Sequence, residues 1–176
     1  KVGIIAPFSG PVLSYGKEGL KGIETVMQLR PYLQNGDRIE LVVADDKNEQ
    51  DMALKLLEKL VVEDNVSAVI TFSSSGPVLA MAKVADKYKT PILAAFATHP
   101  DITEHNGFIS QLVFDDNFQG IVTALFARDD LMIDKVAVFR NPNSAYSSHL
   151  ASEFEDKFKS IGGEITDTVL LTDETG

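Results

Sequence analysis

The sequence predicts an α/β protein built on a doubly wound, mostly parallel sheet with helices on both faces. Short runs rich in β-branched residues alternate with longer segments whose apolar residues recur at helical spacing. The strand-like runs are apolar at nearly every position, as expected of strands that are covered on both faces. Such alternation is typical of parallel strands joined by right-handed helical crossovers.

Seven segments are predicted to be strands, because each is short, apolar and bounded by polar or turn-forming residues. They are Val2–Ala6, Ile39–Ala44, Ala68–Phe72, Ile92–Ala95, Phe108–Phe114, Val136–Phe139 and Ile165–Leu171. Ligands of parallel α/β sheets bind beyond the carboxyl ends of the strands. The loops that follow these strands are therefore where a site is expected.

Five helices are predicted from apolar residues three and four positions apart, the spacing of one helical face. The faces comprise Leu20, Ile23, Val26 and Met27; Ala53, Leu56, Leu57, Leu60 and Val61; Val78, Leu79, Ala82 and Ala85; Phe118, Ile121, Val122, Leu125 and Phe126; and Leu150, Phe154, Phe158 and Ile161. Pro31 is expected to stop the first helix. Asn117 is the predicted N-cap of the fourth, and Gly162-Gly163 the predicted end of the fifth.

The segment from Phe108 to Asn117 passes from a strand-like run into a helix without the usual connecting loop. It predicts an interlobe crossover, with an N-terminal lobe over residues 1–117 and the beginning of a second lobe over 118–176. Two helices and two strands are too few to bury both faces of a second sheet. The chain is therefore expected to hold one complete lobe and the start of another.

Composition argues against several classes of function. The formal net charge is −10, and neither predicted lobe offers the basic face of a nucleic-acid binder. No apolar run reaches the roughly 20 residues of a membrane span, and no signal peptide is recognisable. The chain has no cysteine, so it has neither disulfides nor thiolate metal sites. No spacing of His, Asp and Glu resembles a metal site.

Two interpretations as a cofactor or catalytic site find little support. The first βα turn, residues 6–16, lacks the Gly-x-Gly-x-x-Gly pattern of dinucleotide sites. Asp45-Asp46 is therefore interpreted as a pair of solvated carboxylates that open a loop and cap a helix. A Ser73–His99 nucleophile and base pair is conceivable, but the Gly-x-Ser-x-Gly elbow is absent. We expect no cofactor and no enzymatic activity.

Two polar junctions follow neighbouring predicted strands and are expected to face one crevice. They are Ser73-Ser74-Ser75-Gly76-Pro77 and Phe96-Ala97-Thr98-His99-Pro100. A helix N-terminus presents N–H groups and a positive dipole end that favour a carboxylate. By local pattern alone, Ser73 and Thr98 fit donation to a ligand and helix capping about equally. Candidate aromatic walls of the pocket are Tyr15, Phe96 and Tyr146.

Taken in order, these residues form a pattern that resembles the type I periplasmic binding proteins of the branched-chain amino-acid (Leu/Ile/Val-binding) family, which feed ABC importers. The matching segments are Pro7–Pro11 with Tyr15-Gly16, Glu40–Val43 with Asp45-Asp46, Ser73–Ser75, Ala97–Thr103, Asn117–Gly120 and Ser144–Tyr146. They extend over almost the whole chain.

The resemblance implies a type I periplasmic-binding-protein-like fold of two lobes that close on a ligand about a hinge. It implies that Ser73 and Thr98 hold a ligand carboxylate, and that the backbone at Phe96 and the Thr98 hydroxyl help to hold an ammonium group. Tyr15 and Tyr146 would line the side-chain pocket. The predicted ligand-binding set is Ser73, Thr98, Phe96, Ala97, Tyr15, Ser74 and Tyr146.

The function implied is an extracytoplasmic solute-binding protein, periplasmic or extracellular, that passes an amino acid or related carboxylate to a membrane permease. Phe96 stands where the family usually has a small residue, which bears on pocket shape. The family's second lobe continues past residue 176 and supplies an acidic partner for the ammonium group. A chain ending there is expected to bind far more weakly than the full protein. A ligand-sensing receptor ectodomain on the same fold stays open as an alternative, and a serine hydrolase is least favoured.

Overall fold

The computed structural model describes residues 1–104 and 107–172. Contacts within the chain divide it into two compact units. The first comprises Lys1–Ala97 and Asp101–Val113, and the second comprises Thr98–Pro100 and Phe114–Gly176.

The first unit is a parallel sheet of five strands in the order β2-β1-β3-β4-β5. The strands are β1 (Val2–Ala6), β2 (Leu41–Asp45), β3 (Ala68–Thr71), β4 (Ile92–Ala94) and β5 (Ile109–Gln111). This arrangement confirms the predicted α/β class. Since β1 lies between β2 and β3, the strand order reverses there, and the crevice between the carboxyl ends of β1 and β3 is the usual ligand position in such a sheet.

The described part of the first unit contains four helices. They are α1 (Leu13–Leu29), α2 (Gln50–Val62), α3 (Ser75–Tyr88) and the single turn α4 (Asp101–Glu104). Helices α2 and α3 bury Leu57 and Met81 against strand residues such as Ile5 in one continuous core. Helix α1 packs on the other side, where Gly19 lies so close to the Phe72 ring that an added Cβ would come within 2.5 Å of it.

Helix α1 leaves part of its face of the sheet open as an apolar groove. The groove has a volume of about 510 Å³ and lies between Ile23 and Val26 of α1 and Ile70 and Leu93 of the sheet. Its lining is almost wholly apolar. A groove of this kind has nothing with which to hold a carboxylate, and we do not assign the ligand to it.

The second unit contains helix α5 (Asp116–Leu125), continued by a π-helical turn over Phe126–Asp130, then β6 (Lys135–Arg140), α6 (Ala145–Ser160) and β7 (Glu164–Leu170). Strands β6 and β7 pair in parallel. Phe158 is fully buried beneath α5 with Ala124. Gly120 allows α5 and α6 to approach, because a Cβ there would come within 2.6 Å of the Glu153 side chain.

The structure corrects two details of the predicted elements. Strand β5 stops at Gln111, although the apolar run continues to Phe114. The Leu112 N–H still donates to the Ala94 carbonyl at 3.0 Å, but the side chains of Leu112 and Phe114 are exposed. Asn117 is not the N-cap of α5. The cap is Asp115, whose carboxylate accepts the Phe118 N–H at 2.8 Å. None of the helices in the described ranges combines the length and the apolar character needed to cross a bilayer.

Candidate functional site

The loop from β1 to α1 is fixed by Asp45, at the end of the neighbouring strand β2. Its carboxylate accepts the Ser9 hydroxyl at 2.6 Å, the Phe8 N–H at 2.9 Å and the Lys47 N–H at 3.0 Å. Burial raises the pKa of Asp45, but these hydrogen bonds outweigh it and the net pKa lies below its usual value. Asp45 is therefore an ionised anchor that ties the loop to the sheet.

Gly16 fixes the first turn of α1 against that loop. A Cβ at Gly16 would lie 2.3 Å from the Pro7 carbonyl oxygen, a separation that only glycine permits. This close approach positions Tyr15, the preceding residue. Tyr15 remains 45% exposed.

The loop from β3 to α3 is organised by Asp46, which is fully buried. The Ser73 hydroxyl donates to Asp46 Oδ2 at 2.5 Å, and the Asn48 N–H donates to Oδ1 at 2.9 Å. Desolvation is the largest influence on this carboxyl and raises the pKa of Asp46, although the Ser73 and Asn48 hydrogen bonds oppose it. The interpretation of Asp46 as a solvated carboxylate is therefore wrong.

Ser73 does not present an open hydroxyl. Its side chain has no exposed surface, and its oxygen lies between Asp46, to which it donates, and Thr71, whose hydroxyl donates to it at 3.1 Å. A hydroxyl can donate only one hydrogen bond, and here Asp46 accepts it. The expectation that Ser73 donates from an accessible position is thus incorrect, since the side chain instead organises the loop that carries Ser74.

Ser74 is the accessible serine of this loop. It is the N-cap of α3, yet its side chain makes no capping hydrogen bond. Its backbone N–H is held by Asn48 Oδ1 at 2.9 Å, so that the residue is fixed while its half-buried side chain is not used for capping. The side chain therefore lies at the positive end of a 14-residue helix dipole.

Phe96 and Ala97 follow β4 on the same edge of the sheet. Ala97 is buried, and its carbonyl accepts the Gln111 side-chain amide at 3.1 Å, which ties this loop to β5. Phe96 is 38% exposed, and its ring contacts that of Tyr15 with centroids 4.3 Å apart and planes inclined by 30°. The structure thus brings together two predicted aromatic walls that lie far apart in the sequence.

Thr98 belongs to the second unit. Its carbonyl accepts the Asp116 N–H at 2.9 Å, and its hydroxyl interacts with the Asp116 carboxyl. Asp116 is fully buried, and neither carboxylate oxygen has a hydrogen-bond partner of good geometry among the described residues. Burial raises the pKa of Asp116 despite the opposing influence of the Thr98 hydroxyl and of His149 and His99.

Two histidine rings contact each other near this carboxyl, with their planes inclined by 42°. The rings of His99 and His149 have centroids 4.5 Å apart, and His149 Nε2 lies 2.8 Å from the Asn117 side-chain oxygen. Residues 1–104 and 107–172 contain no group of three or more His, Asp or Glu side chains placed to hold a metal ion. The histidine pair accounts for Asn117, which bonds His149 rather than capping α5.

Tyr146 lies in the first turn of α6, within the second unit, and is 42% exposed. It lines a shallow depression of about 320 Å³ together with Phe139 and Leu150. Its predicted role as a pocket wall stays a prediction.

Sequence reasoning missed the two buried carboxyls, Asp46 and Asp116, as organisers of the loops. The available signal was position, because each acid directly follows another acid at a strand end or helix start. The role of Gln111 could not be predicted from the sequence, because only the pairing of β4 with β5 brings its side chain to the Ala97 carbonyl.

Comparison with known proteins adds three findings. A family model described as periplasmic binding protein matches residues 1–175. The "Leu/Ile/Val-binding protein BraC3" of Rhizobium johnstonii is 27% identical over 171 residues, which are 96% of this chain and 46% of that protein. The chain spans about half the length of the curated relatives it matches.

Two solved structures extend the comparison. A leucine-binding protein, LivK, from Thermotoga maritima superposes with a TM-score of 0.92 at 29% identity, covering 97% of this chain and 48% of its own. A solute-binding protein of an ABC transporter from Rhodopseudomonas palustris, in complex with 3,4-dihydroxybenzoic acid, superposes with a TM-score of 0.89 at 27% identity, covering 97% and 46%. These relatives are solute-binding proteins, not enzymes.

Proposed function

The chain belongs to the periplasmic binding protein family, and from that premise we propose that it captures a small carboxylate outside the cytoplasm for an ABC importer. A membrane permease is the proposed partner. The carboxylate is the feature shared by the ligands that its relatives' names describe, a branched-chain amino acid in one group and an aromatic acid in another.

The observation that carries this proposal is that the Ser74 side chain makes no capping hydrogen bond. A serine at an N-cap ordinarily bonds its own helix through the side chain. Ser74 does not, although Asn48 holds its backbone in place at the start of α3. A hydroxyl at a helix N-terminus, beside the β1/β3 switch point, suits an anionic oxygen.

Thr98 is proposed as a second contact, on the strength of the resemblance and of its position directly after the Phe96–Ala97 loop. Ser73 has a supporting role in this scheme. It holds the loop through Asp46 and does not itself touch the ligand.

Pairs of ligands, each an acid and its amide, test whether the site recognises a carboxylate. We expect leucine or 4-hydroxybenzoate to shift amide resonances around Ser74 in an NMR titration carried to millimolar concentration. Leucinamide and 4-hydroxybenzamide, which lack the negative charge, should bind at least tenfold more weakly, because a charge-assisted hydrogen bond is about twice as strong as a neutral one.

A serine pair supplies the matched control. Ser74→Ala should weaken binding of the acids by about tenfold to a hundredfold, since a hydrogen bond to a charged group contributes about 1.5–3 kcal/mol. Ser67 is an exposed serine just before β3, at the opposite edge of the sheet. Ser67→Ala should leave the affinity for the acids unchanged. Equal binding of acids and amides would contradict the proposal. A permease gene beside the coding sequence would support the transport role, and a sensor-kinase gene there would contradict it.

A further inference from the structure

We infer that the ligand carries a planar aromatic ring, and that Phe96 with Tyr15 is the specificity-determining surface that reads it. The inference rests on the proposed function, since it names which small carboxylates the same site prefers. Relatives that bind aliphatic and aromatic acids are similar to this chain to about the same extent, 29% and 27% identical. The chain's own residues must therefore decide between the two.

The two rings form one surface that is only half used within the protein. Tyr15 and Phe96 come from different loops and contact each other at a centroid distance of 4.3 Å. That contact covers part of each ring, while 45% of Tyr15 and 38% of Phe96 stay exposed. This exposed aromatic surface is available to a ligand ring, which would gain free energy by covering it.

Both rings are held in place before any ligand arrives. On the Tyr15 side, Asp45 anchors the β1–α1 loop through Ser9, and Gly16 seats the helix turn on the Pro7 carbonyl. On the Phe96 side, Gln111 holds the carbonyl of Ala97, the next residue. A surface fixed by two independent sets of contacts loses little conformational freedom when it binds.

A fixed aromatic surface discriminates by shape. A planar ring lies flat or edge-on against Phe96 and Tyr15, and such aromatic pairs gain stabilisation beyond the area they bury. A branched aliphatic side chain gains only the burial. The phenyl ring of Phe96 also occupies the position where the resemblance leads us to expect a small residue, so the site differs there from one shaped for leucine.

The experiment is an NMR titration of the chain with four acids at equal concentrations. 4-Hydroxybenzoate and phenylalanine carry a ring, and leucine and isoleucine do not. The first two should bind about threefold to tenfold more tightly, the factor that corresponds to one aromatic pair. Comparing 4-hydroxybenzoate with phenylalanine then shows whether the ring comes on a simple acid or on an amino acid.

Substitutions identify the surface. Phe96→Leu keeps an apolar side chain but removes the ring, and should weaken both ring ligands by about threefold to tenfold while leaving leucine within twofold. Tyr15→Leu should act in the same way. The control is Tyr32→Leu, which removes an exposed tyrosine three residues beyond the C-terminal end of α1 and should leave the affinity for both classes of ligand unchanged.

The outcomes separate this inference from the proposed function. Preferential binding of the ring ligands that is lost in Phe96→Leu supports both. Leucine or isoleucine binding as tightly as the ring ligands, or a loss of leucine affinity equal to that of 4-hydroxybenzoate in Phe96→Leu, overturns the inference alone. No resonance shift with any of the four acids overturns the proposed function and this inference with it.

Discussion

The hydroxyl of Ser73 lies 2.5 Å from Oδ2 of Asp46, and neither side chain has any exposed surface. The bond links the loop after β2 to the loop after β3. It also separates the roles of two neighbouring serines, because Ser73 is structural and Ser74 is left accessible.

Removing the Asp46 carboxylate should destabilise the protein. Asp46→Ala leaves the Ser73 hydroxyl and the Asn48 N–H without their acceptor in a buried place, and the free energy of unfolding should fall by about 2–3 kcal/mol. Asp46→Asn keeps an acceptor oxygen and should lose less. Urea denaturation measures both.

The control for that series is Asp86→Ala, which removes an exposed carboxylate from α3. It should change the free energy of unfolding by no more than about 0.5 kcal/mol. If Asp46→Ala behaves like this control, the Ser73–Asp46 bond is not important for stability.

The buried Asp116 carboxyl should make stability depend on pH. Because burial raises its pKa above the ordinary value of 3.8, the folded state binds a proton more readily than the unfolded state between these two pKa values. Its contribution to stability is therefore greatest below pH 3.8 and declines as pH rises through the folded pKa. Asn resembles the protonated acid, so Asp116→Asn should be more stable than the parent at pH 7, by about 1 kcal/mol.

Thermal unfolding at pH 7 and at pH 3 measures this effect. The difference between Asp116→Asn and the parent should shrink at pH 3, where both carry a neutral side chain. The pH effect of Asp45 has the opposite sign, since its pKa is lowered and its contribution to stability is lost as pH falls. A stability difference for Asp116→Asn that is the same at both pH values would argue against a buried, titrating carboxyl.

Two glycines in α1 should respond to alanine in opposite directions. Gly16→Ala places a Cβ 2.3 Å from the Pro7 carbonyl oxygen, and should lower the free energy of unfolding by about 1–3 kcal/mol because backbone must move. Gly22→Ala meets no atom within 4 Å and should raise it by about 0.5–1 kcal/mol through helix propensity. Urea unfolding of both variants is the measurement, and a loss of similar size at Gly22 would show that the effect is not one of close approach.

The N-cap of α5 can be assigned by substitution. Asp115→Ala removes the acceptor of the Phe118 N–H and should lower the free energy of unfolding by about 1 kcal/mol. Asn117→Ala removes only the contact with His149 and should leave helix content unchanged. Circular dichroism and thermal unfolding distinguish the two. A larger loss of helix in Asn117→Ala than in Asp115→Ala would restore the sequence-based assignment.

Much of this protein could be predicted without coordinates, because its determinants are local. Residues Val2–Ala6 were predicted as a strand with the bounds that β1 has, since their apolar run is continuous. The end of α1 at Leu29 agrees with the stop expected from Pro31. The parallel sheet likewise follows from the alternation of short apolar runs and helical faces.

The assignments that failed depended on neighbours in space. Whether a serine hydroxyl is open or buried is decided by what lies opposite, and only the pairing of β2 with β1 and of β1 with β3 brings Asp46 to Ser73. The apolar run after β5 resembles a strand, but beyond the Leu112 N–H, which donates to the Ala94 carbonyl, none of the described strands pairs with it. The contact between Tyr15 and Phe96 likewise needed the sheet to bring two distant loops to one edge. The sequence alone therefore determined the elements and their order, which depend on local spacing, and tertiary structure decided which polar groups are satisfied inside the protein and which are left for a ligand.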